Sequence, residues 1–433
     1  VCGFDTDKSI RVQCRVLSCL MTGFVFTGDA LTCDGVNLSE VVESEGTPLY
    51  VYSAALIAER YRALDAAVGD YPHRIHYALK ANSALGIVRL ISQIGAAVDA
   101  NSWGEIAVAC RASVPPEDIV FTGVGKTDAE LTQAVALGIQ AINAESIGEL
   151  IRINQIAISQ DKRARVAIRI NPDIDAKSHP GISTGSRAHK FGVPLHDAGP
   201  LCREVVGWNG VQLVGVHAHV GSQITTIEPV IKVANTISGF AQALIADGLS
   251  LEHIDLGGGL GISYDGNPTL PVKEYARALL DAVAPTGLTL ILEPGRWVLG
   301  PAGVLLANVV DVKAQTSGRY FVVLDAGMTE LIRPALYGAV HRVEPCIQRM
   351  GPEVICDIVG PICETTDVIR LGHTMVLPEA GDVLAICDVG AYGAAMASNY
   401  NRRALPAEVL ITERHSQVIR RRQNIDELLA CEQ

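Results

Sequence analysis

Between residues 75 and 292, short apolar or β-branched runs alternate with longer stretches in which apolar residues recur every three or four positions, the pattern of successive strand–helix units. Eight strands are predicted, at 75–79, 96–99, 119–122, 141–143, 166–170, 213–219, 253–256 and 288–292. Helices fill the gaps: 145–156 has Ile147, Leu150, Ile151, Ile153 and Ile156 on a helical period, and 227–245 is a longer amphipathic stretch. Eight such units predict an α/β fold, a (β/α)8 TIM-type barrel.

Past residue 300 the helical period fades and strand-like runs follow at 320–324, 353–359, 382–388 and 408–412, predicting a second, mostly β domain at the C-terminus. Residues 24–45 share that short-strand character, with 24–38 reading as two strands around turns. The expected organisation is therefore N-terminal strands at 21–45 packing with the β domain, a barrel at 46–300, and the β domain at 301–433. The apolar run at 16–26, with Arg11 and Arg15 before it, has the length of a signal-peptide core. The preferred reading is that Met21 is the start and 1–20 an upstream extension.

The length of 433 residues suits two domains and excludes a small stapled scaffold. With 48% apolar and 19% charged residues spread along the chain, disorder is excluded as well. A formal charge of -12 repels nucleic acid and anionic membrane surfaces, so neither is an expected partner and any anion site is local. No run of 18 apolar residues occurs. Eleven cysteines without a Cys-x-x-Cys pair read as reduced thiols in a cytoplasm.

Barrel enzymes place their chemistry at the carboxyl ends of the strands, and here those ends are rich in it. The first runs out in His76-Tyr77-Ala78-Leu79-Lys80-Ala81-Asn82, the second in Asp99, the fifth in Arg169, the sixth in His217-Ala218-His219, the seventh in Gly257-Gly258-Gly259 and the eighth in Glu293-Pro294-Gly295-Arg296. Lys80 is either a solvated charge or, desolvated in a pocket, an amine nucleophile with a lowered pKa. The three glycines are either a permissive turn or a phosphate cradle of backbone N–H groups. Glu293 is either a helix-entry carboxylate or the anion that keeps a pyridine nitrogen protonated. His217 and His219, on one side of a strand, also form a metal-ligand pattern, the mark of a rival class of barrel hydrolases, although such a pair is expected on the first strand. Arg169 either neutralises buried carboxylates or touches a cofactor, Asp99 reads as a cap or loop residue, His217 as a packed histidine, and Cys356 and Cys387 as inert core thiols.

Taken together, these motifs resemble the fold type III pyridoxal-phosphate decarboxylases over roughly residues 24–420. Tyr77-Ala78-Leu79-Lys80-Ala81-Asn82, His219-x-Gly221-Ser222, Gly257-Gly258-Gly259 and Glu293-Pro294-Gly295-Arg296 are the general part of the resemblance. Arg169-Ile170-Asn171-Pro172, His179-Pro180-x-Ile182-x-Thr184-Gly185, Lys190-Phe191-Gly192, Leu331 to Tyr337 and Gly360-Pro361-Ile362-Cys363-Glu364 are similar to the diaminopimelate branch. Val340 and Val389 depart from it, standing where family members often have an aromatic and a small residue.

The resemblance implies pyridoxal 5'-phosphate as cofactor, with Lys80 as its covalent attachment point, His219 stacked on its ring and Glu293 at its pyridine nitrogen. Ser222, Gly257, Gly258, Gly259, Gly295, Arg296 and Tyr392 complete the implied cofactor site. Arg296, Arg333 and Tyr337 would meet the substrate's distal carboxylate and Glu364 its distal ammonium, Tyr392 would also contact the substrate, and Cys363 would donate the proton. The implied reaction is decarboxylation of meso-2,6-diaminopimelate to L-lysine, the alternative being decarboxylation of another amino acid, ornithine- or arginine-like or carrier-linked, on the same fold. A non-catalytic relative is the reading from another class, and the presence of both Lys80 and Cys363 argues against it. The family also implies a homodimer whose active site is shared across the interface.

Overall fold

The computed structural model describes residues 23–174, 190–316 and 318–432. The expected extension at 1–20 and the His179 to Gly185 motif lie outside the described residues.

The chain opens with an antiparallel sheet of β1 (Phe24–Thr27), β2 (Ala30–Cys33) and β3 (Val36–Asn37), three strands where two were expected. A helix at Leu38–Glu45 follows, its start fixed by Asn37, whose side chain accepts from the Ser39 N–H. This unit is joined to the C-terminal region: the Leu31 N–H donates to the Cys346 carbonyl at 2.8 Å, and Leu31, Leu38 and Val41 share a core with Val304, Leu306 and Val409.

Next comes β4 (Leu49–Ser53), which differs from the expected assignment of everything after residue 46 to the barrel. It lies between two strands of the second sheet, antiparallel to one and parallel to the other. All five of its residues are buried, and a strand covered on both faces is stable only inside a sheet with a layer on each side. The barrel begins with the helix Ala54–Val68, which Ser53 caps by accepting from the Leu56 N–H at 2.9 Å.

The barrel strands are β5 (His73–Ala78), β6 (Ala97–Ala100), β7 (Ile119–Phe121), β8 (Ala141–Ala144), β9 (Ala164–Asn171), β11 (Val211–His217), β12 (His253–Asp255) and β13 (Thr289–Leu292), with the two-residue β10 (Val193–Pro194) paired to β9. All pair in parallel, and the ring closes where Leu290 stands opposite His73. Helix starts are written locally: Ser102, Thr127 and Ser146 each accept from the N–H of a glutamate three residues on. The helix Ile147–Ser159 buries Leu150, Ile153 and Ala157, while Ile147 and Ile151 face solvent. The expected apolar stripe was therefore too wide, because a surface helix buries only one side.

The second sheet runs in the order β18, β17, β15, β14, β4, β20, β21, from β14 (Gly303–Ala314), β15 (Tyr320–Leu324), β17 (Glu353–Val359), β18 (Val368–Val376), β20 (Ala407–Thr412) and β21 (His415–Arg420). Two further strands, β16 (Val343–Pro345) and β19 (Val383–Ile386), pair with each other, and β19 pairs with β14. The 12-residue β14 serves both halves, pairing with β4 and β19 through Gly303–Asn308 and with β15 through Val309–Ala314. Cys356 and Cys387 are buried as expected, and burial pushes their thiols up to about 11 and about 12. No helix among the described residues is long and apolar enough to cross a membrane.

Three histidines in these cores are held neutral by burial, His76 and His341 down to about 3 and His253 to about 4. An unfolded histidine takes up its proton near pH ~6.5, so below that pH the unfolded state binds protons that the native state refuses. Each such group then costs ~1.4 kcal/mol of stability per pH unit as the pH falls from ~6.5 towards ~4. The urea midpoint is expected to fall between about pH 7 and about pH 5, and a flat or rising midpoint would contradict this account.

Candidate active site

The first barrel strand ends at Ala78, and a single 3-10 turn, Leu79–Ala81, buries its two flanking residues and turns Lys80 towards the barrel mouth. Lys80 Nζ donates to Asp99 Oδ2 at 3.1 Å. Asp99 is fully buried in β6, in register with Ala78, and is neither a cap nor a loop residue as the sequence suggested. Strand register was the missing signal. Burial alone would lower the Lys80 pKa, but Asp99 and Glu293 outweigh it and hold the ammonium above its ordinary value, contrary to the expectation of a lowered one.

The sixth strand stops at His217, so His219 stands beyond it and the two rings do not act as a strand-borne pair. His219 Nδ1 accepts from the Gly258 N–H at 3.2 Å, which places its proton on Nε2. Burial, then the charge of Lys80, pushes this ring down to about 3, so it is neutral at ordinary pH. His217 instead converges with Asp255 and Glu293, their ligating atoms lying within 4.8 Å of one another.

Glu293 follows the eighth strand and is held by its N–H donating to the Gly257 carbonyl at 2.7 Å. Its Oε2 is 3.5 Å from His217 Nε2, and among the described residues no donor reaches its buried Oε1. Burial would raise this carboxyl, but His217, then Lys80, hold it well below the usual carboxylate range. Asp255 is driven the other way, by burial and by the Glu293 charge. Two adjacent buried carboxyls thus divide into an anion and an acid.

The glycines are sterically required. A Cβ on Gly258 would lie 2.1 Å from the Glu293 carbonyl oxygen, and Gly257 and Gly259 hold φ of +65° and +108°. Their amides are not equivalent, because the Gly257 N–H donates to Asp255 Oδ1 and the Gly258 N–H to His219 Nδ1. Of the three, Gly259 lines the cavity.

That cavity, about 200 Å³, is lined by Lys80, His219, Ser222, Gly259, Glu293, Gly295, Arg296, Arg333, Tyr337 and Tyr392, with Leu260 and Met396 besides. A larger space of about 700 Å³ between residues 39–43 and the strands β16–β19 gathers no comparable set of groups. Arg296 donates from Nε and Nη2 to Ser222 Oγ, and its guanidinium carbon lies 4.9 Å from the Tyr392 ring centroid. Arg296 and Arg333 are 6% and 5% exposed, yet among the described residues neither forms an ion pair. Two buried, unneutralised guanidiniums define an anion site.

Arg169 Nη1 donates to Glu145 Oε1 at 2.6 Å with both side chains buried, which favours its reading as a neutralising residue. Cys363 and Glu364, on the connection between β17 and β18, are exposed and do not line this cavity. Glu364 accepts from the Tyr400 hydroxyl at 2.6 Å. Sequence reasoning missed Tyr264, whose hydroxyl accepts from both Arg296 Nη1 (2.5 Å) and Arg333 Nη1 (2.8 Å).

A parallel barrel with a lysine after its first strand, a glycine turn after its seventh and a buried glutamate after its eighth matches the pyridoxal-binding domain of the pyridoxal-dependent decarboxylases over residues 54–300. The fold and site therefore define a pyridoxal-dependent decarboxylase. Over nearly its whole length the chain is 42% identical to the diaminopimelate decarboxylase of Vibrio cholerae, covering 93% of this chain and 96% of that one. The structure of the Helicobacter pylori diaminopimelate decarboxylase complexed with L-lysine superimposes with a TM-score of 0.88 at 38% identity, covering 92% of this chain and 99% of that one. That of M. jannaschii, also with L-lysine, gives 0.90 at 36%, covering 95% and 98%. The chain belongs to the diaminopimelate decarboxylase family.

The residues present fit pyridoxal phosphate. Lys80 offers an amine with its side chain 35% exposed, His219 a neutral ring, and Glu293 a buried anionic carboxylate of the kind a protonated pyridine nitrogen requires. Gly295 gives close backbone approach, since a Cβ there would lie 3.0 Å from Ala81 Cβ and 3.2 Å from the Tyr392 hydroxyl.

Proposed function

We propose that this chain decarboxylates meso-2,6-diaminopimelate to L-lysine and carbon dioxide. The observation that carries this reading is the pair of buried guanidiniums, Arg296 and Arg333, without a carboxylate partner among the described residues, in the cavity that holds Lys80 and Glu293. Diaminopimelate has two amino-acid ends, and losing carbon dioxide from one requires gripping the other as an intact zwitterion. A bare ammonium such as ornithine's would be repelled by these two cations.

When bound, pyridoxal phosphate supplies an electron sink for the pair left behind by carbon dioxide. The chain's own residues do the rest. Lys80 would hold the cofactor, and Asp99, 3.1 Å from its Nζ, would receive or return the Lys80 proton. His219 would cover one face of the cofactor ring and, being uncharged, would add no positive charge there. Glu293 holds a proton at the pyridine nitrogen, and His217 behind it keeps Glu293 ionised. Ser222, Gly259, Gly295 and Tyr392 would hold the phosphate, while Arg296, Arg333 and Tyr337 would face the distal carboxylate.

Cys363 is the proton donor to the α-carbon in this proposal, and Glu364 meets the distal ammonium. Both are exposed, outside their own chain's cavity, which supports a homodimer in which each copy completes the other's site. Mixing Lys80→Ala and Cys363→Ala protomers should then restore about a quarter of wild-type activity once subunits exchange. No recovery despite demonstrated exchange would place both residues in one chain. The free thiols of the described residues, Cys363 among them, support a reducing, cytoplasmic setting.

The deciding experiment measures carbon dioxide release from the pyridoxal-phosphate-loaded protein with meso-diaminopimelate, L-ornithine, L-arginine and L-lysine offered separately. Release from diaminopimelate alone, with L-lysine as product, is expected. Release from L-ornithine or L-arginine instead would overturn the roles given to Arg333 and Glu364.

A further inference from the structure

Two like-charged guanidiniums line the cavity, and the acceptor they share is a phenol, not a carboxylate: that of Tyr264, which itself lines a neighbouring space with Gln223 and Ile262. Tyr264 Oη accepts from Arg296 Nη1 at 2.5 Å and from Arg333 Nη1 at 2.8 Å. Both guanidinium carbons also lie within cation–π range of its ring centroid, at 5.9 and 5.1 Å. The two arginines come from distant parts of the chain, one at the helix Arg296–Leu299 after the eighth barrel strand and one at the helix Arg333–Tyr337 in the second domain. Tyr264 is their common contact.

Tyr264 itself is firmly placed. Two residues before it, Gln223 clamps the Ile262 backbone in both directions, its Nε2 donating to the Ile262 carbonyl at 2.6 Å and its Oε1 accepting from the Ile262 N–H at 3.2 Å. The Gly261 N–H donates to the Ile224 carbonyl at 2.9 Å. On the far side the His341 ring meets the Tyr264 ring edge-on, centroids 5.1 Å apart. His341 is fully buried with Nδ1 against the Cys387 carbonyl at 2.9 Å, so it packs as a neutral ring and adds no third positive charge.

A phenol oxygen accepts at most two hydrogen bonds and donates one. Both acceptor positions are taken by cations, which leaves the hydroxyl hydrogen, polarised by two adjacent positive charges, as a donor. Among the described residues no acceptor takes it. A carboxylate seated between the two guanidiniums is the group that would.

We propose that Tyr264 is a specificity-determining residue for the substrate's non-reacting end: it sets Arg296 and Arg333 apart at the spacing of one carboxylate and donates its own O–H to that carboxylate. This rests on the reading that the two arginines receive the distal carboxylate. The test is titration of the pyridoxal-phosphate-loaded wild type and Tyr264→Phe with L-lysine, which retains that carboxylate, and with cadaverine, which does not, following the absorbance of the bound cofactor. Tyr264→Phe is expected to weaken L-lysine binding by about tenfold and cadaverine binding by less than about twofold, and to raise KM for diaminopimelate by the same factor as for L-lysine binding. In an Arg333→Ala background the Tyr264→Phe effect on L-lysine should largely vanish, because the two residues act on one group. Equal weakening of both ligands would reduce Tyr264 to a packing residue, and no weakening of either would remove it from recognition; both overturn the proposal while leaving the substrate reading intact. A wild type that does not prefer L-lysine to cadaverine would overturn the substrate reading, and this proposal with it.

Discussion

Replacing Lys80 by alanine is expected to lower kcat on the order of 10^4-fold or more, a loss of about 5.5 kcal/mol of transition-state stabilisation, and to abolish the covalent form of the bound cofactor. The amine cannot be supplied from elsewhere in the cavity, whose other cationic residues, Arg296 and Arg333, carry guanidiniums that do not act as nucleophiles at ordinary pH. Lys80→Arg separates chemistry from charge. It keeps a cation opposite Asp99, whose buried carboxyl would otherwise lose its partner, and should therefore preserve folding better than alanine while being equally inactive. Single-turnover activity, the absorbance of the bound cofactor and a urea midpoint on both variants check this. Measurable turnover above about one part in a hundred of wild type in either variant would remove Lys80 from the chemistry.

Glu293→Gln is expected to lower kcat by about 10^2 to 10^3-fold, because a neutral amide cannot hold a proton on the pyridine nitrogen and the electron sink is weakened in the transition state. The structure adds a second expectation that a simple loss of packing would not produce. Burial and the Glu293 charge together push the Asp255 carboxyl up, and removing that charge lets Asp255 ionise more readily. His217, 3.5 Å from Glu293, also loses the anion it faces. The variant should therefore retain a wild-type urea midpoint near neutral pH while its cofactor absorbance changes with pH differently from the wild type. A midpoint that collapses together with activity would make Glu293 a structural residue, and unchanged activity would remove the pyridine-nitrogen role.

The strand–helix alternation was legible because a period of two and a period near 3.6 leave different traces in a run of apolar residues, and eight repeats of the pair have one common closed solution. Strands covered on both faces were harder. Leu49–Ser53 has no alternation to betray its sheet, and the 12-residue β14 bends its pairing from one half of the second sheet to the other, which no local pattern encodes. Ile147 and Ile151 show the reverse error, being apolar residues on a helical period that nonetheless face solvent.

At the site, residue types next to rigid punctuation were readable one by one. Lys80 after a strand, the three glycines and Glu293 before Pro294 have few bland roles in combination, and the family resemblance these motifs carry implied the cofactor and the reaction class. What the sequence by itself determined was therefore the barrel, the β domain and which residues stand at the strand ends that line the cavity. Only the tertiary structure decided their ionisation and their neighbours: that Asp99 faces Lys80, that Asp255 and Glu293 part into acid and anion, that Arg169 serves Glu145, and that Tyr264 joins two arginines 37 positions apart in sequence. The physical reason is that pKa and hydrogen bonding depend on burial and on distances of a few ångströms between residues far apart in the chain, and those distances exist only after the barrel has closed and the second domain has packed against its mouth.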